Sequence, residues 1–304
     1  MILDNYLALY KVSSTDNRLD RKNYSRFVTT FLIHCIAKGY YNDALVTTMS
    51  QKEPWKAESI ITNSSQEIIR AAGSKYTYVP QKQHYTKLNS KSMVVALPCQ
   101  IDESSKDFLT IGLFCGLNSG PEKLKYICKK KKFNLEDVKF FNYRDTNTNK
   151  MKFVLKNDRE ILIKQRGLNY AFAMPMCKSC KDFSAINADI AVGDYDFAGS
   201  SVVVIRTKRA LEVFEKCVMD GSIKAEKIGI SDLLQHRTSG LILKELGKTY
   251  EGNPFISIKG KIKYIIPIKL YNLMGGMLAV YYKYIKSSII YFIYKLKPSK
   301  NSFE

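Results

Sequence analysis

The sequence predicts an α/β fold, a mixed sheet of short strands with surrounding helices, and three observations carry that reading. Apolar residues at 27, 28, 31, 32, 35 and 36 repeat at the helical period, and the next apolar run, Ala44–Met49, is rich in strand-forming residues. Short apolar runs recur at Met93–Leu97, Leu109–Phe114 and Ser201–Ile205, followed in turn by a proline, a Cys-Gly pair and an arginine. A chain of 304 residues with 45% apolar content can also bury a substantial core, as one large domain or two closely joined ones.

Taken in order, a polar stretch at Ser13–Arg18 precedes the helix over 27–38, and Gly39 fits its stop. After the strand Ala44–Met49, Ile60 and Ile61 read as a strand end. Asn63 or Ser64 caps a short helix closed by Gly73. The loop Gly73-Ser74-Lys75-Tyr76-Thr77-Tyr78 then offers a glycine, hydroxyls, a lysine and two aromatics, which can hold a phosphate and stack a planar ring. The same composition also suits an ordinary polar loop between two elements. Gln81–Lys91 is polar. Pro121–Lys132 reads as a helix whose last turn, Lys129–Lys132, is a solvated basic end. Phe153–Leu155 and Ile161–Ile163 form a hairpin, and Lys208–Cys217 an amphipathic helix after the strand Ser201–Ile205.

The seven cysteines carry the chemistry. Cys177 and Cys180 lie three positions apart in a turn-rich stretch entered by Pro175, so both sulfurs can reach one soft metal centre and supply half of a four-thiolate site. Of the other five, Cys99 and Cys115 stand out because each follows a short apolar strand. A lone cysteine is as often a small buried hydrophobe, and Cys35, Cys128 and Cys217 fit that description on helices. The start Met1-Ile-Leu-Asp-Asn-Tyr carries no basic-then-apolar leader, so a reducing, cytoplasmic compartment is expected. None of His34, His84 and His236 has a catalytic neighbour in sequence.

Cys177–Thr207, together with Pro98-Cys99-Gln100, Leu113-Phe-Cys115 and Ala72-Gly-Ser-Lys-Tyr76, resembles the beta subunit family of coenzyme F420-reducing hydrogenase and its dehydrogenase relatives. The resemblance runs from about Tyr10 to about Val218 and implies a core over 1–220. It implies an oxidoreductase subunit carrying FAD and one 4Fe-4S cluster. Electrons would pass between an iron–sulfur electron-transfer protein, or a hydrogenase or dehydrogenase subunit, and a deazaflavin, coenzyme F420, or similar hydride acceptor. By resemblance Cys99, Cys115, Cys177 and Cys180 are the cluster ligands, and Gly73, Ser74, Lys75 and Tyr76 contact the flavin. No catalytic acid, base or nucleophile is implied. The family's Gly-Gly pair before the first helix is replaced by Lys22-Asn-Tyr-Ser25-Arg26, and its Gly-rich turn after Gly193 by Asp194-Tyr195-Asp196-Phe197, a change that could narrow the flavin pocket. A ferredoxin-like Cys-rich module is absent, so an electron-transfer partner is implied.

Residues 221–264 form a poorly patterned connection, and 265–304 a basic amphipathic helical tail. Its longest uncharged stretch, Leu270–Tyr282, is too short to span a bilayer, yet Tyr and Lys suit the inner face of an anionic membrane or a partner surface. The net charge of +20 invites acidic partners, but no nucleic-acid-binding module accompanies it. The alternative reading is a non-catalytic or zinc-binding scaffold on the same fold, held to a membrane or an acidic partner.

Overall fold

The computed structural model describes residues 5–16, 19, 26–145, 147–164, 168–169, 172–180, 182–195, 199–229 and 232. In chain order its strands are β1 (Ala8–Ser14), β2 (Asp43–Met49), β3 (Ala57–Thr62), β4 (Ser92–Ala96), β5 (Leu109–Leu113), β6 (Val138–Asn142), β7 (Met151–Leu155), β8 (Glu160–Ile163), β9 (Ile190–Asp194), β10 (Ser201–Ile205) and β11 (Ile223–Lys227). Helices are α1 (Phe27–Ala37), α2 (Ser65–Arg70), α3 (Glu122–Lys131), α4 (Pro175–Ser179) and α5 (Lys208–Met219).

The main sheet has eight strands in the order β11-β1-β10-β9-β5-β4-β2-β3. Its centre, β2, β4, β5 and β9, is parallel, and antiparallel strands flank it on both sides, so the sheet is mixed as expected. Side chains of a strand alternate between faces, and both faces here are apolar. Val46, Met93, Ile111, Val192 and Val203 meet Phe27 and Phe31 of α1, Ile68 of α2 and Phe214 of α5. Leu45, Val94, Ala191, Val202 and Val204 face the other way, onto Tyr85, Phe108, Ala185 and Tyr195 from turns and loops.

Local chemistry sets the helix ends. Gly39 takes a left-handed φ of +69° that ends α1, letting the amides of Tyr40 and Tyr41 return to the Cys35 carbonyl. Ser64 caps α2 by accepting the Glu67 amide at 3.4 Å. Between β5 and β9 the chain leaves the main sheet to build a three-stranded antiparallel sheet, β6-β7-β8, against α3. Phe133, Phe141, Phe153, Leu124 and Ile127 form that second core.

One buried carboxylate ties the centre together. Asp189, just before β9, accepts the Thr110 amide and hydroxyl of β5, both at 2.8 Å, the Thr207 hydroxyl at 2.7 Å, and Arg209 of α5 at 2.8 and 2.7 Å. Burial alone would raise its carboxyl. The donors from Arg209, Thr110 and Thr207 outweigh that and hold it below the usual carboxylate range.

Several elements depart from the sequence reading. The stretch opened by Pro175 is one helical turn, with proline at the start where a missing amide costs nothing. Strands β1, β6, β9 and β11 were not anticipated, and β11 pairs with β1 to carry the main sheet into the segment expected to connect core and tail. Tyr195 packs into the core rather than onto a pocket wall, and Asp194 pairs with Arg144 at 3.3 Å. The expected amphipathic tail over 265–304, residues 22–25 and His236 lie outside the described residues.

Candidate cofactor site

The four sequence-predicted cysteines come together. Cys99 sits in a single 3₁₀ turn after β4, Cys115 lies two residues past β5, and Cys177 and Cys180 belong to α4 and its end. All four line one small cavity of about 20 Å³. Backbone hydrogen bonds fix their approach. The Cys115 amide donates to the Phe183 carbonyl at 2.9 Å, the Asn118 amide donates to Cys177 Sγ at 3.3 Å, and Cys180 Sγ contacts the Asp182 carbonyl at 3.5 Å. Farther along, Arg206 donates to the Ser184 carbonyl at 3.1 Å and the Ala185 carbonyl at 3.4 Å, holding the turn that follows the pair.

The other three cysteines are elsewhere and buried. Cys35 of α1 and Cys217 of α5 face each other at 3.7 Å between sulfurs, and that contact together with burial pushes the Cys35 thiol far up. Burial raises the Cys128 thiol to about 11. Such thiols stay protonated and inert. All seven cysteines are thiols. Among the described residues no three His, Cys, Asp or Glu side chains converge at distances that would hold a single metal ion.

A second cavity, of about 110 Å³, opens at the carboxyl ends of the parallel strands, where Thr47, Val95, Ala96 and Leu113 form its floor. That edge is where open α/β sheets bind ligands, because the loops leaving it diverge. Val28, Thr29 and Leu32 of α1 wall one side, and Gly73, Ser74 and Lys75 another. Gly73 holds φ at +89°, and nothing lies within 4 Å of where a side chain would begin, so the backbone itself borders open space. The Lys75 ammonium donates to the carbonyls of Ala71 and of Ala72, the latter at 3.3 Å. Burial pushes it down to about 7, and among the described residues it has no carboxylate partner.

Tyr76, the fourth residue expected at this cavity, is not on its wall. Its ring packs toward the second core, and its carbonyl accepts the Ser119 hydroxyl at 2.6 Å and the Lys123 ammonium at 2.9 Å. Tyr78 instead lines the thiol cavity. Lys123 went unread in the sequence. Only 1% exposed, it also donates to Asn169 Oδ1 at 2.9 Å and lies 5.1 Å over the Tyr143 ring, and burial lowers it to about 7. The available signal was register, since Lys123 stands one turn before buried Ile127.

Leu97 and Asn118 line both cavities, so the thiol site and the strand-end cavity share a wall.

Two models of one family match the chain: the coenzyme F420 hydrogenase/dehydrogenase beta subunit N-terminal part over residues 9–84, and its C-terminal part over 89–230. The coenzyme F420 hydrogenase subunit beta of Methanothermobacter thermautotrophicus is 26% identical over 250 residues, covering 75% of this chain and 87% of the relative. The coenzyme F420-dependent sulfite reductase of Methanocaldococcus jannaschii is 25% identical over 260 residues, 76% of this chain and 40% of that protein. A chain of the F420-reducing [NiFe] hydrogenase complex from Methanosarcina barkeri superposes with a TM-score of 0.61 at 21% identity, covering 86% of this chain and 90% of the other. These likenesses define the class, an oxidoreductase subunit. The chain belongs to the coenzyme F420 hydrogenase/dehydrogenase beta subunit family. Among the described residues no helix is long and apolar enough to cross a membrane.

Proposed function

We propose that this chain carries FAD and one 4Fe-4S cluster and passes electrons between an iron–sulfur partner and coenzyme F420 or a similar hydride acceptor. The supporting observation is adjacency: four thiols from three separate segments line one cavity, and that cavity shares Leu97 and Asn118 with one at the strand ends.

Each donor set suits its group. In a 4Fe-4S cluster every thiolate binds its own iron, so the four sulfurs surround a cube rather than converge on one atom. Cys99, Cys115, Cys177 and Cys180 would hold it, and metal analysis separates a cluster from zinc. The strand-end cavity, at about 110 Å³, takes a ring or a phosphate rather than a whole dinucleotide, for which its mouth must widen. Lys75 would meet the phosphate, and the open space beside Gly73 lets a ligand approach the backbone. When bound, a flavin supplies the exchange between hydride and single electrons, and the cluster carries the latter.

The residues themselves orient and exclude. Apolar Val28, Leu32, Val95 and Leu113 keep water from the floor, while the Lys75 ammonium offers the positive charge. Cys35, Cys128 and Cys217 are buried away from the site, and on this reading the other end of the electron path lies on the iron–sulfur partner. A reducing, cytoplasmic setting would keep the thiols of the site available to a cluster.

Anaerobic purification followed by a visible spectrum and iron, labile sulfide and acid-released flavin assays tests the reading. Cys177→Ala and Cys180→Ala are expected to lose iron, with Cys35→Ala and Cys217→Ala keeping it. Colourless protein, zinc in place of iron, or equal iron in all four variants would overturn it.

A further inference from the structure

Every polar group of Asn118 is committed, and its commitments reach both cavities. Its amide donates to Cys177 Sγ at 3.3 Å and its carbonyl accepts the Met174 amide at 2.9 Å, so the residue grips both ends of the turn that presents Cys177. Its side chain reaches the other way: Nδ2 donates to the Thr77 carbonyl at 3.0 Å, and Oδ1 accepts the Ser119 amide at 3.1 Å. Thr77 lies on the wall of the strand-end cavity, beyond Gly73–Lys75. Asn118 is 3% exposed, so water does not compete for these bonds.

We propose that Asn118 is a positioning residue that sets the reduction potential of the group held by Cys177 and couples it to occupancy of the strand-end cavity. This rests on the functional reading above and adds a residue role to it. The physical basis is the hydrogen bond to sulfur. An amide aimed at a thiolate stabilises the more negative, reduced state of an attached cluster and raises its potential. The aim of that amide is fixed by the side-chain bond to Thr77. Anything that orders or displaces the Thr77 segment therefore changes the bond to Cys177, and by linkage the oxidation state at Cys177 changes affinity at the cavity equally.

Neighbouring contacts make the path short and stiff. Tyr76 is clamped by Ser119 and Lys123, and the Tyr78 amide donates to the Ser119 carbonyl at 3.4 Å, so the loop and the Asn118–Ser119 segment move together. Asn118 accordingly differs from a merely buried amide. Its loss should alter electronic properties at a site whose ligands are all still present.

The test uses full-length protein with its cofactors, comparing wild type with Asn118→Asp and Asn118→Ala. Asp keeps the acceptor for Ser119 and the volume, but loses the donor to Thr77; Ala loses both without adding charge. Both variants are expected to retain wild-type iron, to titrate at a more negative midpoint potential, and to bind flavin about five- to tenfold more weakly, the worth of one buried hydrogen bond. Flavin removal should shift the wild-type potential and leave that of Asn118→Ala nearly unmoved. Wild-type potential in both variants, or an equal response to flavin removal, would overturn the role of Asn118 while leaving the functional reading intact. Absence of iron from wild type would overturn the reading and this inference with it. A melting curve separates these outcomes from simple unfolding.

Discussion

At the scale of single residues, the two cavities depend on a few side chains whose chemistry is uncommon. Lys75 sits with its ammonium among carbonyls and is pushed down to about 7 by burial. A lysine holds a phosphate only when protonated, so affinity for a phosphate-bearing ligand should fall as pH rises through about 7. Flavin affinity measured between pH 6 and pH 9 checks this, with Lys75→Met expected to bind weakly and without that pH dependence. An unchanged slope in Lys75→Met would assign the proton elsewhere. The cysteines were legible because their type is scarce and their places after strands or in a tight pair are distinctive. Lys123 was not, since a lysine among Lys125, Lys129, Lys130 and Lys131 reads as solvated until the register of the helix is followed. Asn118 carries no sequence signal at all. Three of its four bonds, to Cys177, Met174 and Thr77, exist only because segments far apart in the chain meet there.

At the scale of elements, packing at the main sheet's centre positions the thiol turn. Gly112 of β5 lies where the turn after Cys180 crosses it: a side-chain carbon there would sit 2.2 Å from Ala185 Cβ and 2.8 Å from Ala188 Cβ. Both neighbours belong to a short turn held by Arg206 and Asp189, which cannot retreat without dragging the sequence from Cys180 onward. Gly112→Ala is therefore expected to cost about 1–3 kcal/mol, or about 2–4 °C of melting temperature per kcal/mol, and to lower iron content as well. A melt and an iron assay check both. Normal iron with full stability would mean the turn is looser than its contacts imply. Elements with strong periodicity, such as α1 and β4, were readable from sequence. Those missed have a local reason: β1 alternates through Lys11 and ends in serines, and β11, Ile223-Lys-Ala-Glu-Lys227, carries three charged residues in five. Edge pairing, not composition, makes β11 a strand.

At the scale of the whole molecule, all four cysteines and both cavities are assembled by residues before 183, and the main sheet closes with β11 at Lys227. Among the described residues, no wall residue of either cavity lies beyond Asp182. Ending the chain at Ile265 should therefore give protein that keeps iron and flavin at wild-type levels. What the tail adds is charge and an apolar stripe, Met274, Met277, Leu278, Tyr281 and Ile285, set among lysines. The helix expected from this pattern would lie in a membrane interface with its apolar side inward, each basic residue near an anionic surface contributing on the order of 1 kcal/mol. Full-length protein is then expected to sediment with anionic liposomes more than with neutral ones, less so as salt is raised, and the truncated chain with neither. Cofactor loss on truncation would instead place the tail against the core. Intact cofactors with no liposome binding would assign the tail to the electron-transfer partner, whose surface must then be acidic to meet a chain of net charge +20.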